Sequence, residues 1–219
     1  TDEAATPVEI SAETCVLNTR AERVHLKGTF GRLIIGKSPS ILNLSASAGG
    51  GIKELFITKS AGHVKLASDV GVGLVVIESG TNVELGGFLR YGAFGTHSMD
   101  GPDVIVNEGA TVFCGGEMES LRNSGLVTHS GQVGKLVQVN TSAKTIFTAK
   151  SSAPISGSDS FISGGEVVFQ GKGTVNSLFN KIHGARILCA DGTKVTNGGF
   201  KIEGSATFAG LAGQTAAIA

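Results

Sequence analysis

Four segments of the chain lie over one another without gaps. Residues 15–26 read CVLNTRAERVHL, 33–44 LIIGKSPSILNL, 55–66 LFITKSAGHVKL and 74–85 LVVIESGTNVEL. The first column is Cys15, Leu33, Leu55 and Leu74, and the third is Leu17, Ile35, Ile57 and Val76. The tenth is Val24, Leu42, Val64 and Val83, and the twelfth is Leu26, Leu44, Leu66 and Leu85. Similarity repeating about every twenty residues means one supersecondary unit stacked on copies of itself. The pattern returns further on, where VVIESGTNVELGGF (75–88) matches VIVNEGATVFCGGE (104–117) and ILCADGTKVTNGGF (187–200). These three share turn glycines at Gly80, Gly109 and Gly192. Between 120 and 183 Gly turns still alternate with apolar runs, but the register is not readable.

Each unit holds two short runs of period-2 alternation separated by Gly, Ser, Asn and Asp, which reads as two strands and a corner. Strands that short, repeating at 18–22 residues, predict an all-β chain coiled as a parallel β-solenoid, each coil pairing with the one below. The odd positions then point inward. Leu33, Ile35, Ile57, Leu66, Val76, Leu85, Ile105 and Val112 are the expected core. The second position is apolar as well, at Val16, Ile34, Phe56, Val75, Val104 and Ile187. Alternation turns that column outward. An outward ladder of this kind is a larger apolar stripe than a soluble monomer usually shows. The reading assigns it a cover: a terminal segment, the 86–102 segment, or further copies of the chain about a parallel axis.

Coils such as LIIGKSPSILNL and VVIESGTNVELGG resemble the right-handed parallel β-helix superfamily over about residues 14–200. The resemblance implies one domain, with residues 1–13 as an N-terminal cap and 201–219 as a last coil, a cap or a continuation. Members of that superfamily include bacterial adhesins, autotransporter passengers, phage tailspikes, and polysaccharide lyases and hydrolases. The chain starts at Thr1 without Met, as expected of a processed chain or an excised piece. No apolar run reaches the ~18 residues of a membrane helix.

Composition narrows the chemistry. Eighteen basic residues balance eighteen acidic ones, so no net field attracts nucleic acid. Cys15, Cys114 and Cys189 are odd in number and far apart, two of them on core columns, which reads as small buried hydrophobes. Six aspartates, Asp2, Asp69, Asp100, Asp103, Asp159 and Asp191, show no equivalent outward stacking of the sort a glycan-cleaving groove requires. One Tyr and no Trp make a poor sugar platform. Five histidines without HxH or HExxH spacing read as surface residues, and no cofactor or metal site is expected.

The remaining irregularity is the segment GGFLRYGAFGTHSMDGP (86–102), which lengthens one coil and carries Arg90, Tyr91, His97 and Asp100. Loops on a rigid scaffold are where recognition concentrates, and Arg and Tyr are favoured contact residues. The sequence therefore predicts a non-enzymatic solenoid module for surface attachment, adhesion or assembly, secreted or on a cell surface. Its partners would be a host surface glycan or protein, or other copies of itself. The alternatives are a carbohydrate-active β-helix enzyme and an intracellular polymerising scaffold.

Overall fold

The computed structural model describes residues 8–39, 41–46, 51–66, 70–85, 89–90, 103–115, 117–148, 154–155, 160–171, 173–175, 180–190, 193–195, 200–202, 207–210 and 217–218. Every strand pairing among them is parallel, and successive strands alternate between two sheets that face each other across one core. This is a parallel β-solenoid, as the repeat predicted.

The first sheet runs through ten strands in succession, from Ala12–Asn18, Phe30–Lys37, Ile52–Ile57 and Val70–Ile77 to Phe200–Ile202. The second holds eleven, from Val8–Glu9 and Arg23–Gly28 to Thr207–Gly210. The first strands thus begin inside the segment that the sequence assigned to a cap. A third, three-stranded sheet of Gly173–Val175, Thr193–Val195 and Ala217–Ile218 belongs to the later coils.

Leu33, Ile35, Ile57, Leu66, Leu85 and Val112 are buried, as their columns require. Alternation breaks once per coil in the long strands of the first sheet. Phe30 and Leu33 both face in, as do Ile52 and Leu55, Val72 and Val75, Met118 and Leu121, and Val133 and Leu136. The two residues between each pair lie away from the core, Gly134 alone of them being buried, so the strand bends and its start closes a third side of the core. Small residues ease the bend, and a Cβ on Gly73 would come 2.8 Å from the Lys53 carbonyl oxygen.

Two expectations fail by one residue. Leu55 pairs with Val75, not Leu74, and Val75 pairs with Val104. Val75 and Val104 are therefore buried core residues, whereas Val76 and Ile105 face out and are half-buried. The cause is a turn. The corner after Ile57 holds a 3-10 turn at Lys59–Ala61 closed by Gly62 at φ +70°. The corner after Ile77 is one residue shorter, with the Thr81 hydroxyl donating to the Glu78 carbonyl at 2.7 Å. Aligning the following strands, Val64 over Val83, forces the preceding strands out of step by one. The run GLVVI is apolar at both parities, so its composition gives no warning.

Ile187 fails for a different reason. It lies in the second sheet, above Val167 and in the column of Val127 and Thr145, and is fully buried. The likeness of 187–200 to 75–88 therefore matches segments from different sides of the solenoid. Gly80 and Gly109 do occupy one corner, with φ +77° and +78° and a Gly80 N–H to Gly109 carbonyl bond of 3.2 Å. Gly165 turns another corner at φ +70°, where a Cβ would overlap the Ala143 carbonyl oxygen. The predicted corner at Gly192 lies outside the described residues.

Candidate functional site

Of the four residues predicted to bind a partner, Tyr91, His97 and Asp100 lie outside the described residues. Arg90 sits in the two-residue strand Leu89–Arg90, which pairs with Val70–Gly71 at the start of the Val70–Ile77 strand. Leu89 and Arg90 thus add a short parallel rung beside the start of that strand.

The outward column of the first sheet is clear. It runs Val16, Ile34, Phe56, Val76, Ile105 and Arg122, then Val137 and Phe161. Val16, Ile34 and Phe56 stand where the sequence placed them. Val75, Val104 and Ile187 do not belong, and Val76 and Ile105 take the places of the first two. Val16 is 54% exposed and Phe161 39%, with the residues between them half-buried or, at Arg122, exposed. Arg32 flanks the column, bonding Glu54 at 2.7 Å while its guanidinium lies 5.1 Å from the centre of the Phe56 ring.

A depression of about 350 Å³ opens beside the corner at Ser124–Gly125. That corner has two residues, where the corners of the adjacent coils, Asn107–Ala110 and Val139–Ala143, have four and five. Gly125 is what makes the short turn possible, since a Cβ would overlap the Ala110 carbonyl oxygen. The Ser142 hydroxyl donates to Glu108 Oε1 at 3.1 Å across the gap. The notch is lined by one carboxylate, Glu108, and the hydroxyls of Thr111, Ser124 and Ser142, with no second carboxylate to form the pair that glycan hydrolysis uses.

The sequence gives no sign of a polar cluster that lies inside the core. Asn123, Gln138 and Thr145 are fully buried where the register was unreadable. Asn123 Nδ2 donates to Thr145 Oγ1 at 2.8 Å and to the Lys144 carbonyl at 3.0 Å, while its Oδ1 accepts from Gly125 N–H at 2.8 Å. Thr145 Oγ1 donates to Gln138 Oε1 at 2.8 Å, and Gln138 Nε2 donates to the Gly164 carbonyl at 2.8 Å. Every one of these groups is bonded, which is the condition under which polar atoms sit in a core without penalty.

His129 overturns the surface reading of the histidines: it is fully buried, whereas His63 and His183 are exposed and His25 is half-buried against the Ser45 hydroxyl at 2.9 Å. Its Nδ1 lies 3.3 Å from Cys114 Sγ and its Nε2 3.2 Å from the Gln132 carbonyl. The ring is edge-on to Phe147, which stacks on Phe169 at 5.5 Å. A Cys–His pair at this distance has the outline of a nucleophile and its base. Its chemistry is the opposite. Burial pushes the Cys114 thiol up to about 12 and lowers the His129 imidazole, so both are neutral. Nδ1 also lies 3.3 Å from the Cys114 carbonyl; with Nε2–H donating to the Gln132 carbonyl, Nδ1 accepts from the Cys114 thiol. Cys114 and Cys189 are buried as expected, and Cys15, on the first rung, is half-buried.

This pair predicts a pH profile. An imidazole whose proton affinity is lower in the folded state gives stability that is complete above its ordinary value near 6.5 and is lost as pH falls below it. Glu166 is held low, first by its hydrogen bond from Lys144, so its contribution is lost only at more acidic pH, below about 4.5. Between pH 7 and 5 the melting temperature is expected to fall, and His129→Phe, which extends the Phe147–Phe169 stack, is expected to flatten that fall. An unchanged slope in the variant refutes the assignment. The Cys114 thiol gives the mirror effect, with stability lost above about pH 9.

Among the described residues no group of three or more His, Cys, Asp or Glu is placed to hold a metal, and no helix is long and apolar enough to cross a membrane. No family model, no curated protein and no solved structure matches the chain.

Proposed function

We propose that this chain is a non-enzymatic, rigid β-solenoid module that presents a surface for attachment or assembly, of the adhesin, passenger or phage-fibre kind, outside the cell. One observation carries the reading. Among the described residues the inward columns are mainly apolar, with the bonded trio Asn123, Gln138 and Thr145 set among them, and the groups best suited to chemistry, His129 and Cys114, are buried and neutral inside the core. What the molecule offers its surroundings is an outer surface built of ladders: the apolar column of the first sheet, and ion pairs between rungs such as Lys65–Glu84 at 3.0 Å and Lys144–Glu166 at 3.0 Å. The 86–102 segment, of which Leu89–Arg90 pairs with Val70–Gly71, is the proposed contact for a host glycan or protein.

The test is direct. The folded chain is expected to resist proteolysis as a single body and to bind cell-surface material. Replacing Arg90, Tyr91 and His97 together with Ala should cut that binding and leave the melting temperature nearly unchanged. Turnover of acidic or neutral polysaccharides that disappears when one Asp or Glu is changed would replace this reading with that of an enzyme.

A further inference from the structure

The outward column of the first sheet carries a second consequence, which rests on the scaffold reading and names a partner for it. Five rungs in succession present Val16, Ile34, Phe56, Val76 and Ile105, and the sixth presents Arg122. One column over, the same six rungs present Thr14, Arg32, Glu54, Leu74, Asp103 and Ser120. We propose that this face docks a second copy of the chain, antiparallel, about a two-fold axis that crosses between Phe56 and Val76.

Charge complementarity selects that arrangement. An antiparallel two-fold lays each column on itself in reverse order. With the axis between the third and fourth rungs, Phe56 meets Val76 of the second copy, Ile34 meets Ile105, and Arg32 meets Asp103. The side chain of Arg32 is already oriented by Glu54 and Phe56, and that of Asp103 by a hydrogen bond from Ser120. Moving the axis half a rung, onto Phe56, would set Glu54 against Glu54. A parallel pairing would set Arg122 against Arg122 and bring no opposite charges together. Complementary charges of this kind fix register and suppress the alternatives. The six rungs span roughly 25 Å at the spacing of paired strands. That is the low end of specific interfaces, so the dimer is expected to dissociate with a Kd on the order of micromolar.

Sedimentation equilibrium over roughly 1–500 µM brackets that value. A reversible monomer–dimer equilibrium is expected, and Phe56→Glu should weaken it by about tenfold or more without lowering the melting temperature. Asp103→Lys, which opposes Arg32 of the second copy with a like charge, should weaken it more at low salt than at high salt. Orientation is read by cross-linking in a Cys15→Ser background. Facing sheets lie about 10 Å apart, beyond the reach of a disulfide, so a short bis-maleimide is used. Ile34→Cys mixed with Ile105→Cys should cross-link, and Ile34→Cys alone should not. If Phe56→Glu fails to fold, the cross-linking result still decides. A monomer at every concentration, a dimer indifferent to Phe56→Glu in the folded variant, or Ile34→Cys linking to itself overturns the proposal. A monomer that keeps its protease resistance refutes the dimer alone, while a readily digested chain refutes the scaffold reading beneath it.

Discussion

Truncating Ile57 to alanine is expected to lower the unfolding free energy by about 2–5 kcal/mol. Ile57 is fully buried and lies in a ladder between Ile35 and Ile77, both equally inaccessible. The rungs above and below are tied to it by parallel backbone pairing, so neither can close on the space the side chain leaves. Denaturant unfolding gives the magnitude. Ile105→Ala is the control: the side chain is the same, but Ile105 faces out, and its truncation should cost on the order of 1 kcal/mol or less. Equal losses at the two positions would mean that the inward and outward columns are misassigned.

Asn123→Ala should cost on the order of 3–5 kcal/mol, combining a small cavity with the loss of bonds to buried groups. The Gly125 N–H and the Lys144 carbonyl lose a partner together, and Gln138 and Thr145 are left as a pair. Replacing Asn123, Gln138 and Thr145 all by apolar residues of similar size is not expected to restore stability. Three of their partners, Gly125 N–H and the Gly164 and Lys144 carbonyls, are backbone groups that no substitution removes. A triple variant as stable as the parent would show that these backbone groups find other partners, and that the trio is dispensable.

Much of the solenoid was legible because its inward columns repeat in aliphatic residues. Leu33, Ile35 and Ile57 could be placed from spacing alone. The errors have specific physical origins. A sequence alignment assumes equal corners, and the extra turn residue at Lys59–Ala61 broke that assumption, exchanging Val75 with Val76 and Val104 with Ile105. Ile187 misled because a strand, a Gly corner and a second strand look alike on any side of a solenoid. The buried trio was invisible because Asn, Gln and Thr at inward positions imitate a turn in one dimension. Only the pairing of Asn123 with Gln138, 15 residues on, shows that they lie on consecutive rungs. His129 reads as a surface residue in one dimension because the carbonyl of Gln132 and the thiol of Cys114, which allow its burial, come together only in the folded coil.

The trio also bears on how the chain counts its own layers while folding. A stack of similar aliphatic rungs has an indexing problem, since a strand that settles one layer too high or too low still meets leucines, isoleucines and valines. Asn123, Gln138 and Thr145 remove that ambiguity at one place. Asn123 and Gln138 meet on consecutive rungs, with Val106 on the far side of one and Ile162 on the far side of the other, so a slip that parts them leaves each amide between aliphatic neighbours without its partner. The polar knot in the middle of the stack acts as a page number: the two layers that share it fit together in one way, and the rungs on either side are threaded from that pair.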